Sequence, residues 1–376
     1  MLLARVNIAR LKANELLILK LRNAVSCKKI GYFMKDFVNQ LDKETRKVDF
    51  DSFDISVKEL VSMTDEGIID IAPEYQRQFR WPKENQSRLI ESVFLGIPVP
   101  SLFMAANKDG SWELIDGVQR LNSLIHFVGS EDQLKKFGFE SPLVLSGLSV
   151  LSEYNGSSFS DLPKTLKLKF SLRPMKVTTL SDKSDLKVRF DLFERLNTGG
   201  IKLTDQEIRS CVFRGRFNDF IGDLSENEHF NAVVNLPSAK LKDGTKNELI
   251  LRFFAYKNNR HQFEHSVVGF LNDYMADAST SFDYKKNRSI FEKTFKLLAH
   301  ELPSGIKRGT RTTTPFNLFE AIVVGAADAI ENGIDIRGKN VSTWIDDDDL
   351  TQLTSGATNS RPRLNARIEY CYDRFK

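Results

Sequence analysis

The chain has 376 residues, 41% of them hydrophobic, which suits two or three domains with real cores. Its net charge of +4 is unevenly placed: residues 1–33 hold seven Lys or Arg against one Glu, a local +6 that leaves residues 34–376 at −2. This excludes a uniformly basic DNA binder, and the lack of any apolar run of 18 residues excludes a membrane span, so contact with DNA is expected only from a local patch.

Three cysteines, Cys27, Cys211 and Cys371, lie far apart with no metal-ligand spacing, the usage of a reducing cytoplasm. Residues 1–33 spread Leu, Ile and Val around most of a helix. A targeting peptide or a membrane-surface helix would be basic in this way, whereas a signal peptide would not be broken by charges. The segment reads as an extension, with Met34 as the natural start.

From Val48 to Ile55 the apolar residues alternate as in a strand, and a helix follows from Val57, with Ser56 and Glu59 placed as a capping box. Gly67 ends that region, and residues 68–71 read as a short strand. Next, residues 73–82 pack Arg77, Arg80, Gln76 and Gln78 among Tyr75, Phe79 and Trp81. Two readings stand side by side: a surface loop anchored by its aromatics, or a pocket wall with arginines for phosphate and rings for stacking on a base.

Lys83 to Leu95 shows helical periodicity, and the run from Gly96 to Pro100 stops it. A strand at residues 101–105 turns through residues 107–110 into a second strand, 112–115. That strand delivers Asp116-Gly117-Val118-Gln119-Arg120 at the start of a helix carrying Leu121, Leu124, Ile125 and Val128. Gly117 permits a tight bend, the first-turn amides and helix dipole favour an anion, and Arg120 offers a fork of donors for phosphate oxygens. The plainer reading is a common strand–helix turn with a solvated arginine.

Several short strands are expected over residues 129–175, with a polar loop at 155–158, then a strand at 175–180. A helix with Phe190, Phe193 and Leu196 on one face ends at Gly199-Gly200, and Thr204 with Glu207 forms a capping box for the next. Capping accounts for Thr204 and Glu207, while Asn197 and Thr198 sit where a Gly-rich loop lets backbone approach a ligand.

Beyond residue 216 the chain reads as helical and rich in Phe, with a helix at 316–330 buried on most faces. His261 and His265 stand four apart with no third ligand nearby, so a surface pair is favoured over a metal site. Asp346 to Asp349 reads as a solvated helix start. The polar stretch from Ser355 ends in Arg361 and Arg363, the best candidates for contact with a nucleic-acid backbone.

Taken together, Tyr75-Gln76-Arg77 with Trp81, Ile97-Pro98-Val99-Pro100, Asp116-Gly117-Val118-Gln119-Arg120, and Phe193-Glu194-Arg195-Leu196-Asn197 with Leu203-Thr204-Asp205-Gln206-Glu207 resemble one family in order and spacing. It is the N-terminal domain of GmrSD-type, modification-dependent restriction endonucleases, also found in the phosphorothioate-sensing SspE proteins. One position departs: Val118 stands where the family has Gln in Asp-Gly-Gln-Gln-Arg, which touches hydrolysis more than binding.

The resemblance implies an α+β, ParB/sulfiredoxin-like domain over residues 34–215; residues 216–376 read by their own periodicity as a mainly α-helical domain. It implies a nucleoside triphosphate, one of GTP, CTP, UTP or ATP, held with Mg²⁺ by Asp116, Gly117, Gln119 and Arg120, with Tyr75, Gln76 and Arg77 on the opposite wall. Asp116 would hold the Mg²⁺ or orient a water that Gln119 positions. Family members often carry an HNH nuclease, and no His–Asn–His arrangement is evident among the five histidines. The leading reading is therefore a nucleotide-dependent sensing component of an anti-phage restriction system, acting on modified phage DNA, either with cleavage by a separate nuclease subunit or as a switch without cutting. The rivals are a ParB-like DNA-binding module with nucleotide as a switch, and, last, a nuclease in its own right.

Overall fold

The computed structural model describes residues 38–41, 49–71, 81–181, 184, 186–196, 203–241, 243–356 and 359–376. Its five strands are β1 (Phe50–Ser56), β2 (Ile69–Asp70), β3 (Leu102–Ala106), β4 (Trp112–Asp116) and β5 (Pro174–Leu180). They form one mixed sheet in the order β1–β5–β3–β4–β2. The β1–β5 and β3–β4 pairs are antiparallel, and the β3–β5 and β2–β4 pairs are parallel.

Local chemistry sets the helix ends around this sheet. The Ser56 hydroxyl accepts the Glu59 amide at 3.2 Å and opens α1 (Val57–Asp65). Gly96, at φ 74°, closes α2 (Lys83–Leu95), and the Ile97 amide returns to the Ser92 carbonyl at 2.9 Å. The β3–β4 hairpin leads through Gly117 into α3 (Val118–Val128). Val57, Leu60, Ile90, Leu121 and Leu124 from these helices share a core with Leu102, Met104 and Leu114 of the sheet.

The short strands expected between β4 and β5 are absent among the described residues. In their place are α4 (Glu131–Lys136), two 3₁₀ turns and α5 (Lys164–Ser171). This stretch does contribute to the core, since Leu143, Leu145 and Leu148 are all buried. Their backbone, however, is satisfied outside a ladder: the Leu143 amide donates to His126 O, Leu145 to Ser157 O and Leu148 to Asn155 Oδ1.

After β5 come α6 (Leu186–Leu196), α7 (Asp205–Val212), α8 (Arg216–Ser225), α9 (Glu228–Val233), α10 (Thr245–Asn259), α11 (Val267–Thr280) and α12 (Tyr284–Glu301). The last four are α13 (Phe316–Glu331), α14 (Val341–Trp344), α15 (Asp348–Thr354) and α16 (Arg361–Phe375). The expected capping box of α7 forms in full, with Thr204 N to Glu207 Oε2 at 2.8 Å and Glu207 N to Thr204 Oγ1 at 3.2 Å. The α+β region is the one the resemblance implied, and the helical region after it is the one the periodicity predicts.

Helix α13 is buried at 12 of its 16 residues and forms the axis of the helical region. It approaches α16 so closely that a Cβ on Gly325 would stand 2.9 Å from Cys371 Cβ and 3.0 Å from the Ile368 carbonyl. Phe253, Phe254, Phe291 and Phe295 pack beside it at ring-centroid separations of 4.4–5.8 Å. Among the described residues no helix is long and apolar enough to cross a membrane.

A chain of buried charge threads this core. Arg209 on α7 donates to Asn272 Oδ1 at 2.8 Å and pairs with Glu248 at 3.4 Å. Glu248 pairs with Arg252 at 2.7 Å, Arg252 with Glu320 at 2.7 Å, and Glu320 with Arg367 on α16. Burial disfavours the Arg252 charge, but the two carboxylates outweigh it and hold its proton more tightly than usual.

Candidate functional site

The corner between β4 and α3 is built by exclusion. Gly117 has φ 110°, and a Cβ there would overlap the Leu102 side chain on β3, so only glycine lets the chain turn this closely. The first bond inside the helix is Leu121 N to Gly117 O at 2.8 Å, so the amides of Val118 and Arg120 precede the helical ladder at the positive end of its dipole. Helix α3 has no acidic residue in its first turn to occupy that end.

Arg120 does not point into solvent, as the plainer reading had it. Its side chain is 11% exposed and folds back, with Nη1 donating to Pro100 O at 2.8 Å and to Ser101 O at 3.2 Å. Nη2 pairs with Asp116 Oδ2. The guanidinium thus clasps the entry to β3, the end of β4 and the head of α3 into one unit. Asp116 is one-third exposed, and its Oδ1 has no hydrogen-bond partner among the described residues.

Gln119 ties in the neighbouring segment. Its Oε1 accepts the Trp81 amide at 3.2 Å, while Gln86 Nε2 donates to the Trp81 carbonyl at 2.9 Å. The Trp81 peptide is therefore gripped at both polar atoms by side chains of α3 and α2. Tyr75, Gln76 and Arg77 lie outside the described residues, as do Asn197 and Thr198; Trp81 follows the first group, and Leu203 the second, in the chain.

Of the predicted DNA contacts, both arginines are exposed and hydrogen-bonded to carbonyls. Arg361 Nε donates to Phe263 O at 2.7 Å, and Arg363 Nη1 to Gln352 O at 3.0 Å. They lie in the helical region, separate from the corner in the chain. His261 and His265 are both exposed, one in a 3₁₀ turn and one in a loop, so they do not share a helix face. Among the described residues no group of three or more His, Cys, Asp or Glu is placed to hold a metal ion.

Sequence reasoning missed a second polar feature on the same strand. Glu113 is in register with Asp70 on β2, and Arg214 pairs with both, at 3.1 Å to Glu113 Oε1. Burial pushes the Glu113 carboxyl up to about 7; the pull of Arg214 opposes this and the charge of Asp70 adds to it. A carboxyl raised from 4.5 binds its proton in the folded state while the unfolded chain has released it. Stability should therefore fall as pH rises from 4.5 to about 7, by about 3 kcal/mol from this group. Urea midpoints at pH 5 and pH 8 should differ less in Glu113→Gln than in the wild type, and equal pH dependence would refute the assignment.

Fold and corner together define a mixed-sheet domain whose central hairpin presents an Asp-Gly-x-Gln-Arg turn at a helix head. Residues 57–214 match the family model described as the GmrSD restriction endonuclease, N-terminal domain, and this part of the chain is a domain of that family. Among solved structures, a Pnob8-like ParB-N domain in a C2221 crystal form is similar at 12% identity, over 87% of this chain and 96% of that one. Its TM-score is 0.21, too low to argue from. No curated protein matches the chain.

Proposed function

We propose that this chain is a nucleoside-triphosphate-binding component of a modification-dependent DNA restriction system, with the triphosphate seated on the head of α3. The observation that carries this reading is the Arg120 clasp. It fixes the turn through three contacts, to Pro100, Ser101 and Asp116, so that the head of the helix is held in place before any anion arrives. Preorganised donors of this kind cost no rearrangement on binding.

The donor set fits Mg²⁺ in its usual setting beside phosphates. Asp116 Oδ1 supplies one carboxylate oxygen, and Mg²⁺ commonly takes one or two such ligands with phosphate oxygens and waters. Bound there, the ion would neutralise charge on the phosphate oxygens and polarise them. The chain's own part would be to present the amides of Val118 and Arg120 to those oxygens and to keep Asp116 oriented through Arg120. Gln119 holds the peptide that follows the Tyr75–Arg77 wall and would position an attacking water.

On this reading Arg120 is a positioning residue, and hydrolysis of the triphosphate accompanies DNA sensing in the cytoplasm. Cleavage of modified phage DNA falls to a partner nuclease. The test is titration of ATP, GTP, CTP and UTP with Mg²⁺ against wild type and Arg120→Ala, each below its own melting temperature. Wild type should bind at least one of the four, and the variant should lose about tenfold or more in affinity, equal to about 1.4 kcal/mol. No binding of any triphosphate to the wild type would overturn the reading.

A further inference from the structure

The helical region holds a hollow of about 400 Å³ where the head of α13 meets the end of α15 and the loop that follows α12. Arg308, Arg311, Thr310, Thr351, Thr354 and Ser355 furnish its polar lining. The volume is that of a small-ligand cleft. The polar lining residues come from two separate chain segments, 308–311 and 351–355, so no sequence motif announces the site.

Three observations point to an anion as the ligand. Arg308 Nη2 donates to Thr354 Oγ1 at 2.7 Å, but its Nη1 is shielded from solvent and has no acceptor. Burial, together with the neighbouring Arg311, disfavours the Arg308 charge, and Asp346 only partly offsets this. Arg311 is exposed, and its guanidinium has no hydrogen-bond or ion-pair partner among the described residues. The third is α13 itself: 16 residues of aligned peptide dipoles begin beside the hollow at Pro315, with no capping side chain and no acid in the first turn.

The one carboxylate in the lining, Asp346, is turned to the Gly309 amide at 3.2 and 3.3 Å. Its neighbour Asp347 is occupied by Tyr370, at 2.8 Å, and by Arg374. Two arginines against one carboxylate leave the lining formally cationic. Arg363 stands nearby, donating to the carbonyl of Gln352, the residue after Thr351.

We infer that this hollow is a phosphate-binding site, with Arg308 and Arg311 as its cationic walls and the head of α13 as its floor. The phosphate comes either from the backbone of DNA crossing the helical region or from a small free phosphate. The site is independent of the triphosphate corner and stands whether or not that corner binds nucleotide.

Two probes separate the sources: a duplex DNA of arbitrary sequence titrated over a range of salt, and inorganic phosphate followed by its effect on melting temperature. The variants are Arg311→Ala, whose exposed side chain leaves the fold undisturbed, and Arg308→Gln with Arg311→Ala. For a DNA phosphate, Arg311→Ala should weaken duplex binding about fivefold at low salt and lower the salt slope by about one. The double variant should lose more, with triphosphate binding unchanged. For a small phosphate, the thermal protection that inorganic phosphate gives the wild type should vanish in the variants while duplex binding holds. If neither duplex affinity nor phosphate protection changes in either variant, the inference is wrong.

Discussion

Glu320→Ala is expected to destabilise the protein by about 4 kcal/mol, read as a large fall in the urea midpoint with little change in slope. Glu320 is 1% exposed and divides its two oxygens between Arg252, at 2.7 Å, and Arg367. Removing it takes the carboxylate from Arg367, itself fully buried, and one of two carboxylates from Arg252. The cost lies less in the lost attraction than in the charges left inside a medium that solvates them poorly. A double change, Glu320→Ala with Arg367→Met, should therefore be milder than the single one. A single-variant cost under about 1 kcal/mol would mean that water reaches these groups and solvates them when their partner goes.

Gly117→Ala is expected to cost about 3 kcal/mol and to abolish triphosphate binding at the corner. Two penalties combine. At φ 110° an L side chain is strained, by about 1–2 kcal/mol, and its Cβ overlaps Leu102, a further 1–3 kcal/mol of overpacking. A double-mutant cycle with Leu102→Ala separates them, because removing the leucine relieves the overlap and leaves the backbone strain. The double variant should be at least about 1 kcal/mol more stable than the sum of the singles predicts. Strict additivity would place the whole cost in the backbone and remove Leu102 from the account.

What was legible in the sequence follows from the range of the interactions concerned. Ser56, Gly96, the Asp-Gly turn and the Thr204–Glu207 box act within a few residues of themselves, and each helix end stands where its local chemistry put it. Strands are expected over residues 129–175 and do not form, because the amides of Leu143, Leu145 and Leu148 find acceptors in His126, Ser157 and Asn155, which no local pattern announces. Arg120 is the instructive case. Its residue type offers phosphate a fork, yet the carbonyls of Pro100 and Ser101, about twenty positions upstream, turn it inward. The site thus rests more on backbone amides, and less on a guanidinium, than the motif alone suggests. Glu248 and Arg252, four apart on one helix, were the only local sign of the buried charge chain. Arg308 and Arg311 meet Thr351 and Thr354 only through tertiary packing.

Arg209 lies inside the stretch that matches the GmrSD domain, but Glu248 and Asn272, which receive its guanidinium, lie beyond it. A fragment cut after residue 214 would keep Gln206 as an acceptor for Arg209, at 3.0 Å, but would lose Glu248 and Asn272. It is expected to be less stable than the same residues in the full chain. The full chain is expected to unfold in urea in one transition, so that by linkage a ligand that stabilises either end raises the free energy needed to open the other; two separate transitions would refute this.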